Sequence, residues 1–378
     1  MKIGFDGKRA IRNMTGLGNY SRLVVESLSE QYPDDRLVLY TPSTPDDNPR
    51  LKKIKYADNV SIRTPAKGES PLGKSLWRVR SLPALFPQEG IELYHGLSNE
   101  LPMTIKRAGI PTVVTMHDVI YRRLPYCYSA IDRHIYNIKY GHSCQCATKI
   151  VAVSERTKLD VMEFYGIPEE RIEVIYQGCD RQFYHKADPD EITAVRQKYR
   201  LPEKYIVQVG SVERRKNALL SVRALSELPS DICLLLVGRA TAYYNDVVKC
   251  ARELGVADRV AHHSDIAFAD LPAIYQGALA AVYPSYYEGF GIPVLEALAS
   301  GVPCIAATGS CLEEAGGDAA LYVAPDDARD MATKLNLILS DDNVSRSMIA
   351  RGNKYASRFS NARIADTLHR LYESLINK

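Results

Sequence analysis

The chain has 378 residues, more than a single hydrophobic core usually accommodates, and this length predicts two domains of similar size. Its hydrophobic fraction of 46% and charged fraction of 25% are typical of a soluble globular protein. No apolar run approaches the roughly 18 residues that a membrane-spanning helix needs, and Met1 to Asp6 looks like a strand rather than a signal peptide, so we expect a cytoplasmic protein.

The net charge of +3 is unevenly distributed along the chain. Residues 1–180 contain 25 basic and 21 acidic side chains, whereas residues 181–378 contain 23 and 24. Residues 50–80 contain nine basic side chains, two acidic ones and the only tryptophan, Trp77. Such a stretch suits peripheral contact with an anionic membrane at its inner face, and a solvated basic face is the alternative. No nucleic-acid-binding motif accompanies the charge, which argues against a nucleic-acid partner.

Short β-branched runs alternate with helical patterns throughout, which predicts an α/β protein with mainly parallel sheets. In the first half the predicted strands are 2–6, 37–41, 60–64, 93–96, 112–117, 149–153 and 173–176. In the second half they are 205–210, 233–238, 259–263, 280–283, 303–307 and 320–324. The series restarts at Tyr205 after a polar stretch, so we predict a domain boundary near residue 180. An amphipathic pattern from Asn361 to Asn377 predicts a terminal helix.

Each half begins with a strand that leads into a special loop. Gly16 and Gly18 follow the first strand, and the loop from Gly210 to Asn217 follows the eighth. Neither loop contains a complete G-x-G-x-x-G or Walker A sequence, so a dinucleotide oxidoreductase or an ATPase is poorly supported. Both loops nevertheless suit contact with a phosphate.

Residues 284–303 carry the strongest functional signal of the chain. They place a glycine-flanked loop and a short helix after an apolar strand, at the edge where open α/β sheets bind ligands. Glu288 lies in the loop and Glu296 in the helix. Free N–H groups and a helix N-terminus suit a phosphate, whereas carboxylates accept hydrogen bonds from a polyol. This combination favours a phosphorylated sugar, and glutamates that merely offset a helix dipole are the alternative.

The pattern Pro-Ser-x-x-Glu-Gly-Phe-Gly-Ile-Pro-x-Leu-Glu-Ala-x-Ala-x-Gly-x-Pro resembles the E-x7-E signature of retaining nucleotide-sugar glycosyltransferases of family 4. The resemblance covers nearly the whole chain and is most specific over residues 205–325. It implies the GT-B fold, in which two Rossmann-like domains with parallel sheets face each other across a cleft. The acceptor-side domain would comprise residues 1–180 and a terminal helix, 361–378, that packs back on it. The nucleotide-sugar-binding domain would comprise 181–360.

The resemblance also implies roles for residues of the second domain. Glu288 would bind hydroxyls of the transferred sugar, and Glu296 would hold the ribose. Arg215 and Lys216 would neutralise the donor diphosphate, because the loop resembles the family pattern Val-Gly-x-x-x-x-Arg-Lys-Asn; a solvated basic turn is the alternative. Further donor contacts are implied for Gly16, Gly18, Gly210, Ile266, Gly289, Phe290, Gly291 and Ile292. Arg214 departs from the proline common at its position, so we weight it below its two neighbours.

His117 and Asp118 end a strongly apolar strand in the first half. They resemble the strand-end His-Asp pair of the family, which implies that His117 contacts the transferred sugar and Asp118 lies on the acceptor side. A structural histidine is the alternative. His95 ends another strand in the same way, and we treat it as an acceptor-side candidate.

We expect no metal and no cofactor beyond the nucleotide diphosphate sugar. The eight cysteines have no regular spacing and are predicted to be reduced, and Cys144-x-Cys146 lacks a second zinc-ligand pair. Asp188 and Asp190 match a metal-binding Asp-x-Asp motif, but Asp188 followed by Pro189 is typical of a helix N-terminus. Glu288, His117, Lys216 and Arg215 are the predicted catalytic residues, acting through position and charge. The resemblance implies that transfer proceeds by a front-face mechanism.

The sequence thus predicts transfer of a hexose to a glycan or lipid-linked acceptor. The loops resemble those of bacterial mannosyltransferases of polysaccharide assembly, which favours mannose from GDP-mannose. The alternatives are a UDP-sugar-dependent transferase, a nucleotide-sugar epimerase or hydrolase with the same architecture, and a non-catalytic sugar-nucleotide-binding module.

Overall fold

A computed structural model of the protein describes residues 1–13, 15–42, 56–65 and 70–377. The chain forms two compact units. The N-terminal unit contains Met1–Gly178 and Ser360–Lys378, and the C-terminal unit contains Cys179–Phe359. This division lies close to the predicted boundary near residue 180.

The N-terminal unit is built on a seven-stranded parallel sheet with the order β3-β2-β1-β4-β5-β6-β7. Its strands are β1 Lys2–Asp6, β2 Arg36–Tyr40, β3 Val60–Arg63, β4 Leu93–Gly96, β5 Thr112–Met116, β6 Lys149–Ala152 and β7 Ile172–Val174. Its first helices are α1 Lys8–Arg12, α2 Gly16–Gln31, α3 Pro71–Leu76, α4 Phe86–Glu89, α5 Ile120–Arg123, α6 Ala130–Cys146 and α7 Glu155–Tyr165. The central strands β1, β4 and β5 are buried apart from Lys2 at the start of β1, because helices cover both faces of the sheet.

The C-terminal unit repeats this design with six parallel strands in the order β10-β9-β8-β11-β12-β13. The strands are β8 Tyr205–Val209, β9 Cys233–Val237, β10 Val260–His263, β11 Ala280–Tyr283, β12 Cys304–Ala307 and β13 Leu321–Val323. The helices are α8 Pro189–Tyr199, α9 Ala218–Leu225, α10 Tyr244–Glu253, α11 Leu271–Gln276, α12 Ile292–Ala299, α13 Leu312–Gly316, α14 Ala328–Ser340 and α15 Asp342–Ala356. In both units the strand order reverses beside the first strand, which creates a topological switch point.

All thirteen predicted strands occur in the structure, and the differences lie at their ends. Thr41, His117 and Gly210 were included in predicted strands but lie just beyond β2, β5 and β8. The apolar residues of each strand end before these positions, and Gly210 has φ +135°, an angle that a strand does not adopt. The correction places His117 and Gly210 in loops at the carboxyl edges of their sheets.

The terminal helix α16, Asn361–Ile376, packs against α2 in the N-terminal unit. The predicted stripe is buried in the core of this unit, and its members are Ile364, Leu368, Leu371 and Leu375. Outside the stripe, the His369 ring stacks on Tyr32 with centroids 3.5 Å apart. The prediction that the end of the chain returns to the first domain is confirmed.

The basic stretch from 50 to 80 differs from its prediction where the structure describes it. The Arg78 guanidinium is buried, with Nη2 2.7 Å from Asp6 Oδ2 and 3.0 Å from Glu100 Oε2. Trp77 is half-buried against the core. Arg78 is therefore not part of a solvated basic face, whereas Arg80 is exposed and Leu76 is 48% exposed. Five of the nine basic residues lie outside the described residues, namely Arg50, Lys52, Lys53, Lys55 and Lys67.

Other predictions can also be compared with the structure. Helix α8 begins after Asp188 with Pro189 in its first turn, as predicted, but the Asp188 side chain makes no capping hydrogen bond. The eight cysteines are free of disulfides. Among the described residues, no helix combines the length and apolar character needed to cross a membrane.

Candidate active site

The predicted donor-binding residues follow two neighbouring strands of the C-terminal unit. Strands β8 and β11 pair in parallel at the switch point, with Ala281 opposite Val207. Arg215 and Lys216 follow β8, and Glu288 follows β11. Because parallel strands end at the same edge of a sheet, the two loops meet there.

The loop after β8 folds back so that Lys216 approaches the strand end. At Gly210, which has φ +135°, an added Cβ would lie 2.7 Å from Lys216 Nζ, so the end of the lysine side chain would have to move. A short 3₁₀ turn, Arg214–Lys216, then leads to Asn217, which has φ +55° and begins α9. The Asn217 amide donates hydrogen bonds to the carbonyls of Pro284 and Pro325, at 3.2 and 2.7 Å. The asparagine therefore ties the basic loop to the loop that carries Glu288.

Glu288 is the centre of a compact charged cluster. Its Oε1 accepts hydrogen bonds from Tyr283 Oη at 2.9 Å and Ser285 Oγ at 2.7 Å. The same oxygen lies 2.6 Å from Arg215 Nη1 and 3.7 Å from Lys216 Nζ. Burial alone would raise the pKa of Glu288, but the charges of Arg215 and Lys216 outweigh it and lower the pKa to about 2. Glu288 is therefore ionised at neutral pH.

Arg215 and Lys216 are not a solvated basic turn, because the side chain of each is only 14% exposed. Arg215 also donates to the Tyr287 carbonyl at 2.8 Å and lies 2.6 Å from Glu213 Oε1. Lys216 Nζ donates to Tyr283 Oη at 2.6 Å, and burial lowers the pKa of this amine. The two cations therefore lie close together, with Glu288 near both of them and Glu213 in contact with Arg215.

Glycine geometry shapes the turn that leads into α12. Gly291 has φ +125° and precedes the helix, and an added Cβ would lie 2.8 Å from Leu312 Cδ2. Cys311 Sγ donates to the carbonyls of Glu288 and Phe290, at 3.1 and 2.9 Å. Gly289 and Phe290 are buried, and Ile292 is half-buried at the helix start. The structure thus brings the predicted loop residues to one rigid turn at a helix N-terminus.

Glu296 lies one turn further along α12 and has a different environment. It is 7% exposed, and its Oε2 accepts a hydrogen bond from Tyr275 Oη at 3.1 Å. Burial raises its pKa to about 7, so the side chain is half-protonated near neutral pH. Its charge also acts on Lys216, which places it within reach of the cluster. The two glutamates of the motif therefore differ sharply in protonation.

Ile266 stands apart from this cluster. It is half-buried in the loop after β10, which is separated from β8 by β9 at one end of the sheet. The neighbouring Asp265 side chain is 74% exposed. The predicted contact of Ile266 with the donor stays a prediction.

In the N-terminal unit, the glycine loop after β1 is fixed by backbone contacts. A Cβ at Gly18 would lie 1.8 Å from the Asn13 carbonyl oxygen, so only glycine fits there, whereas the space around Gly16 is open. Arg22 Nη1 donates to the carbonyls of Ala10 and Asn13, at 2.9 and 2.7 Å. The sequence analysis missed Arg22, whose only signal was its position four residues after Gly18 on the same helix.

The His117 side chain is buried, and one of its ring nitrogens forms a hydrogen bond to the backbone. Its Nε2 lies 2.9 Å from the Leu97 carbonyl, and because a carbonyl only accepts, Nε2 carries the proton. Burial lowers the pKa of the ring to about 4, so it is neutral at pH 7 and Nδ1 is an acceptor. This arrangement suits contact with a hydroxyl group.

Two residues that the sequence analysis missed hold His117 in place. Asn99 Oδ1 accepts a hydrogen bond from the His117 backbone N–H at 2.6 Å, and Asn99 itself has φ +62°, a strained value for a non-glycine residue. The Tyr20 ring meets the imidazole edge-on with centroids 4.7 Å apart. Asp118, next in the chain, is half-buried and accepts from the Ile120 N–H at 3.1 Å. Part of the Asp118 carboxylate therefore supports the local turn.

His95 does not fit the acceptor-side position predicted for it. The residue is fully buried, and both ring nitrogens are used, by Tyr372 Oη at 2.6 Å and Thr115 Oγ1 at 2.9 Å. Burial lowers its pKa to about 3. His95 lies within β4, whereas His117 follows β5, and the His95 side chain is buried in the core against Tyr372 of α16.

Comparison with known proteins places the whole chain in one family. A family model described as "Glycosyltransferase Family 4" matches residues 14–183, and one described as "Glycosyl transferases group 1" matches residues 191–355. O-antigen chain mannosyltransferase B of Escherichia coli is 30% identical over 373 residues, which cover 95% of this chain and 96% of that protein. A D-inositol 3-phosphate glycosyltransferase of Corynebacterium aurimucosum is 31% identical over 239 residues, covering 59% and 56%.

Solved structures show the same fold at low identity. Sucrose-phosphate synthase from Thermosynechococcus elongatus superimposes with a TM-score of 0.79 at 21% identity, covering 100% of this chain and 99% of that one. Anabaena HepE, solved in complex with UDP and glucose, gives 0.77 at 21% identity and covers 99% and 100%. These likenesses confirm the predicted α/β architecture of two Rossmann-like domains. The chain belongs to glycosyltransferase family 4 and is a glycosyltransferase with the GT-B fold.

Proposed function

We propose that the protein is a retaining mannosyltransferase that moves mannose from GDP-mannose to a glycan or lipid-linked acceptor in polysaccharide assembly. The observation that carries the chemistry is the buried cluster in which Arg215 and Lys216 surround Glu288 at the switch point. The choice of mannose rests on the similarity to O-antigen chain mannosyltransferase B over nearly the whole chain. We place the reaction in the cytoplasm, at the inner face of the membrane.

The cluster supports catalysis by charge and position. In the absence of donor, Glu288 balances the two cations through Oε1, and Glu213 also contacts Arg215. A bound diphosphate would take over much of that balance and leave the carboxylate able to accept hydrogen bonds from sugar hydroxyls. Arg215 and Lys216 would then stabilise the negative charge that develops on the departing phosphate.

The acceptor would attack the same face of the sugar from which the diphosphate leaves. An oxocarbenium-like state forms as the glycosidic bond to phosphate breaks, and the departing phosphate oxygen takes the proton of the attacking hydroxyl. Glu288 serves here as a hydrogen-bond acceptor, not as a nucleophile. In this scheme the neutral Nδ1 of His117 accepts a hydrogen bond from a hydroxyl of the transferred sugar, and Glu296 accepts hydrogen bonds from the ribose.

The identity of the donor is tested by calorimetry with GDP-mannose, UDP-glucose and ADP-glucose. We expect GDP-mannose to bind at least about tenfold more tightly than the others, a difference of about 1.4 kcal/mol. The Glu296→Ala variant should lose most of the affinity for all three, since the ribose is common to them. Preferred binding of a UDP or ADP sugar would reject GDP-mannose as the donor.

We further propose that transfer needs no metal ion, because Arg215 and Lys216 supply the positive charge at the diphosphate. Saturating EDTA is expected to leave the initial rate nearly unchanged, whereas Lys216→Met with added magnesium should stay impaired. Activity that is abolished by chelation and restored by magnesium or manganese would contradict metal independence.

A further inference from the structure

The hydroxyl group of Tyr283 contacts both Lys216 and Glu288 in the charged cluster. Tyr283 is the last residue of β11 and is only 3% exposed. Its Oη lies 2.6 Å from Lys216 Nζ and 2.9 Å from Glu288 Oε1. Because an ammonium group only donates hydrogen bonds and a carboxylate only accepts them, the hydroxyl accepts from Lys216 and donates to Glu288. Burial raises the pKa of Tyr283 well above its ordinary value, so the tyrosine links the two charges as a neutral group.

The two cations of the cluster meet Glu288 in different ways. Arg215 Nη1 lies 2.6 Å from Glu288 Oε1, which is a direct ion pair, whereas Lys216 Nζ lies 3.7 Å from the same oxygen. That oxygen already accepts from Arg215 and from the hydroxyls of Tyr283 and Ser285. A carboxylate oxygen offers about two lone pairs, so these three donors leave no place on it for the lysine.

The ammonium group of Lys216 is therefore bound to a neutral oxygen instead of a carboxylate. Hydrogen bonds between two charged groups are stronger than those with a neutral partner, so an ammonium group leaves a hydroxyl for a phosphate more readily than it leaves a carboxylate. The aromatic ring of Tyr283 also contacts the lysine, with Nζ 5.0 Å from the ring centroid. Replacement of Tyr283 by phenylalanine would keep this ring and remove only the hydroxyl.

We propose that Tyr283 is a positioning residue for transfer, whose hydroxyl keeps Lys216 out of a direct ion pair with Glu288. The ammonium group then stays available for the leaving diphosphate, and the carboxylate stays available for the hydroxyls of the transferred sugar. The inference rests on the proposed function for these two roles. It adds the residue that keeps the two charges apart, which lies five positions before Glu288 at the end of the same strand.

The first test measures the ionisation of Lys216 in the free protein and in Tyr283→Phe. Without the hydroxyl a place on Oε1 opens, and the flexible lysine side chain can move into direct contact with Glu288. Burial lowers the pKa of Lys216, and a closer carboxylate favours the charged amine, so this pKa should rise in the variant toward the ordinary value of 10.5. The variant leaves in place the charged groups that act on Lys216, namely Glu288, Arg215, Glu213 and Glu296.

This pKa is measured by ¹³C NMR of the lysine Cε atoms during a pH titration, and the spectrum of Lys216→Met assigns the resonance. Tyr205→Phe is the matched control, because it also removes a buried tyrosine hydroxyl, one that donates to the Ile274 carbonyl at 2.7 Å. The control should leave the titration of Lys216 unchanged, and circular dichroism should show that all variants fold. An unchanged or lowered pKa of Lys216 in Tyr283→Phe would overturn the proposal, because the lysine would not have moved onto Glu288.

The second test compares kcat for transfer from GDP-mannose. Tyr283→Phe should lower kcat by about tenfold and change the KM for the donor less, because an ammonium group paired with Glu288 stabilises less charge on the departing phosphate. In the Lys216→Met background the same replacement should lower kcat by less than about threefold, because the hydroxyl acts through the lysine. Tyr205→Phe should leave kcat unchanged.

Equal losses of kcat from Tyr283→Phe with and without Lys216 would overturn the proposal, because the hydroxyl would then act independently of the lysine. The NMR titration requires neither donor nor acceptor. It therefore gives its result even if GDP-mannose is not the donor, and failure of the positioning role is distinguished from failure of the proposed function.

Discussion

The Lys216→Met variant is expected to lower kcat by about 10²- to 10³-fold, the usual loss when one preorganised charge is removed from a developing anion. Lys216 Nζ is fixed by Tyr283 Oη and by Glu288 across 3.7 Å, so no reorganisation is needed when the diphosphate departs. Methionine keeps most of the apolar part of the side chain and removes the ammonium group, with its charge and its hydrogen bond to Tyr283. Donor affinity should fall less than kcat, because the phosphate gains charge as it leaves.

Arg214→Met provides the matched control. Arg214 is the neighbouring cation in the same 3₁₀ turn, but its side chain is exposed and outside the Glu288 cluster. Its replacement should change kcat by less than about threefold, since exposed charges contribute little in water. Equal losses in the two variants would show that the loop acts through its overall charge and not through the position of Lys216.

Glu296 is expected to make donor binding dependent on pH. Because burial raises its pKa to about 7, the free protein holds a proton on this carboxyl below that pH and loses it above. In the proposed role the ionised form would accept two hydrogen bonds from the ribose, and hydrogen bonds to charged groups are worth about 1.5–3 kcal/mol. Donor affinity should therefore rise from about pH 6 to about pH 8, approaching tenfold per unit below the pKa.

Titration calorimetry with a nucleotide diphosphate sugar measures how the affinity depends on pH. Repeating the titration in buffers of different ionisation enthalpy measures the protons released on binding, which is an independent test. Glu296→Gln should weaken binding by about tenfold to a hundredfold at pH 8 and remove the pH dependence. Glu288→Gln should keep the pH dependence and mainly lower kcat, because the pKa of Glu288 is already about 2. If the affinity of the unchanged protein for the donor is the same at about pH 6 and about pH 8, ribose binding by ionised Glu296 is contradicted.

Ionisation of Glu296 has opposite effects on the stability of the folded protein, which it lowers, and on the affinity for the donor, which it raises. A carboxyl whose pKa is raised in the folded state binds its proton more tightly there than in the unfolded chain. Its contribution to stability is therefore complete below its ordinary pKa of 4.5 and is lost as the pH rises through about 7. Donor binding at pH 8 would offset that loss, because the ligand stabilises the ionised form.

Much of the fold could be predicted from the sequence, because strands buried on both faces, such as β5 and β11, give continuous apolar runs. The E-x7-E motif located Glu288 and Glu296 because strand, loop and helix follow each other directly in the chain. The apolar stripe of α16 could be predicted because its apolar residues recur at the spacing of a helix. Local patterns of this kind need no knowledge of distant contacts.

The remaining features depend on contacts between residues far apart in the chain. His95 and His117 both end apolar strands, and only the position of Tyr372 on α16 shows that His95 is used inside the core. Asn99 gave no signal, because its strained backbone and its bond to His117 follow from the path of the chain. The basic stretch looked uniform in sequence, yet Arg78 pairs with Asp6, 72 residues away.

The central claim, transfer of mannose with retention, is tested most directly by NMR of the product formed from GDP-mannose and a panel of mannose-, glucose- and galactose-terminated oligosaccharides in the presence of EDTA. The donor is an α-glycoside, so the account predicts a new α-linked mannose, formed by the unchanged protein and nearly absent with Lys216→Met. A β-linked product, or consumption of GDP-mannose to free or epimerised sugar without transfer to any acceptor, would contradict it.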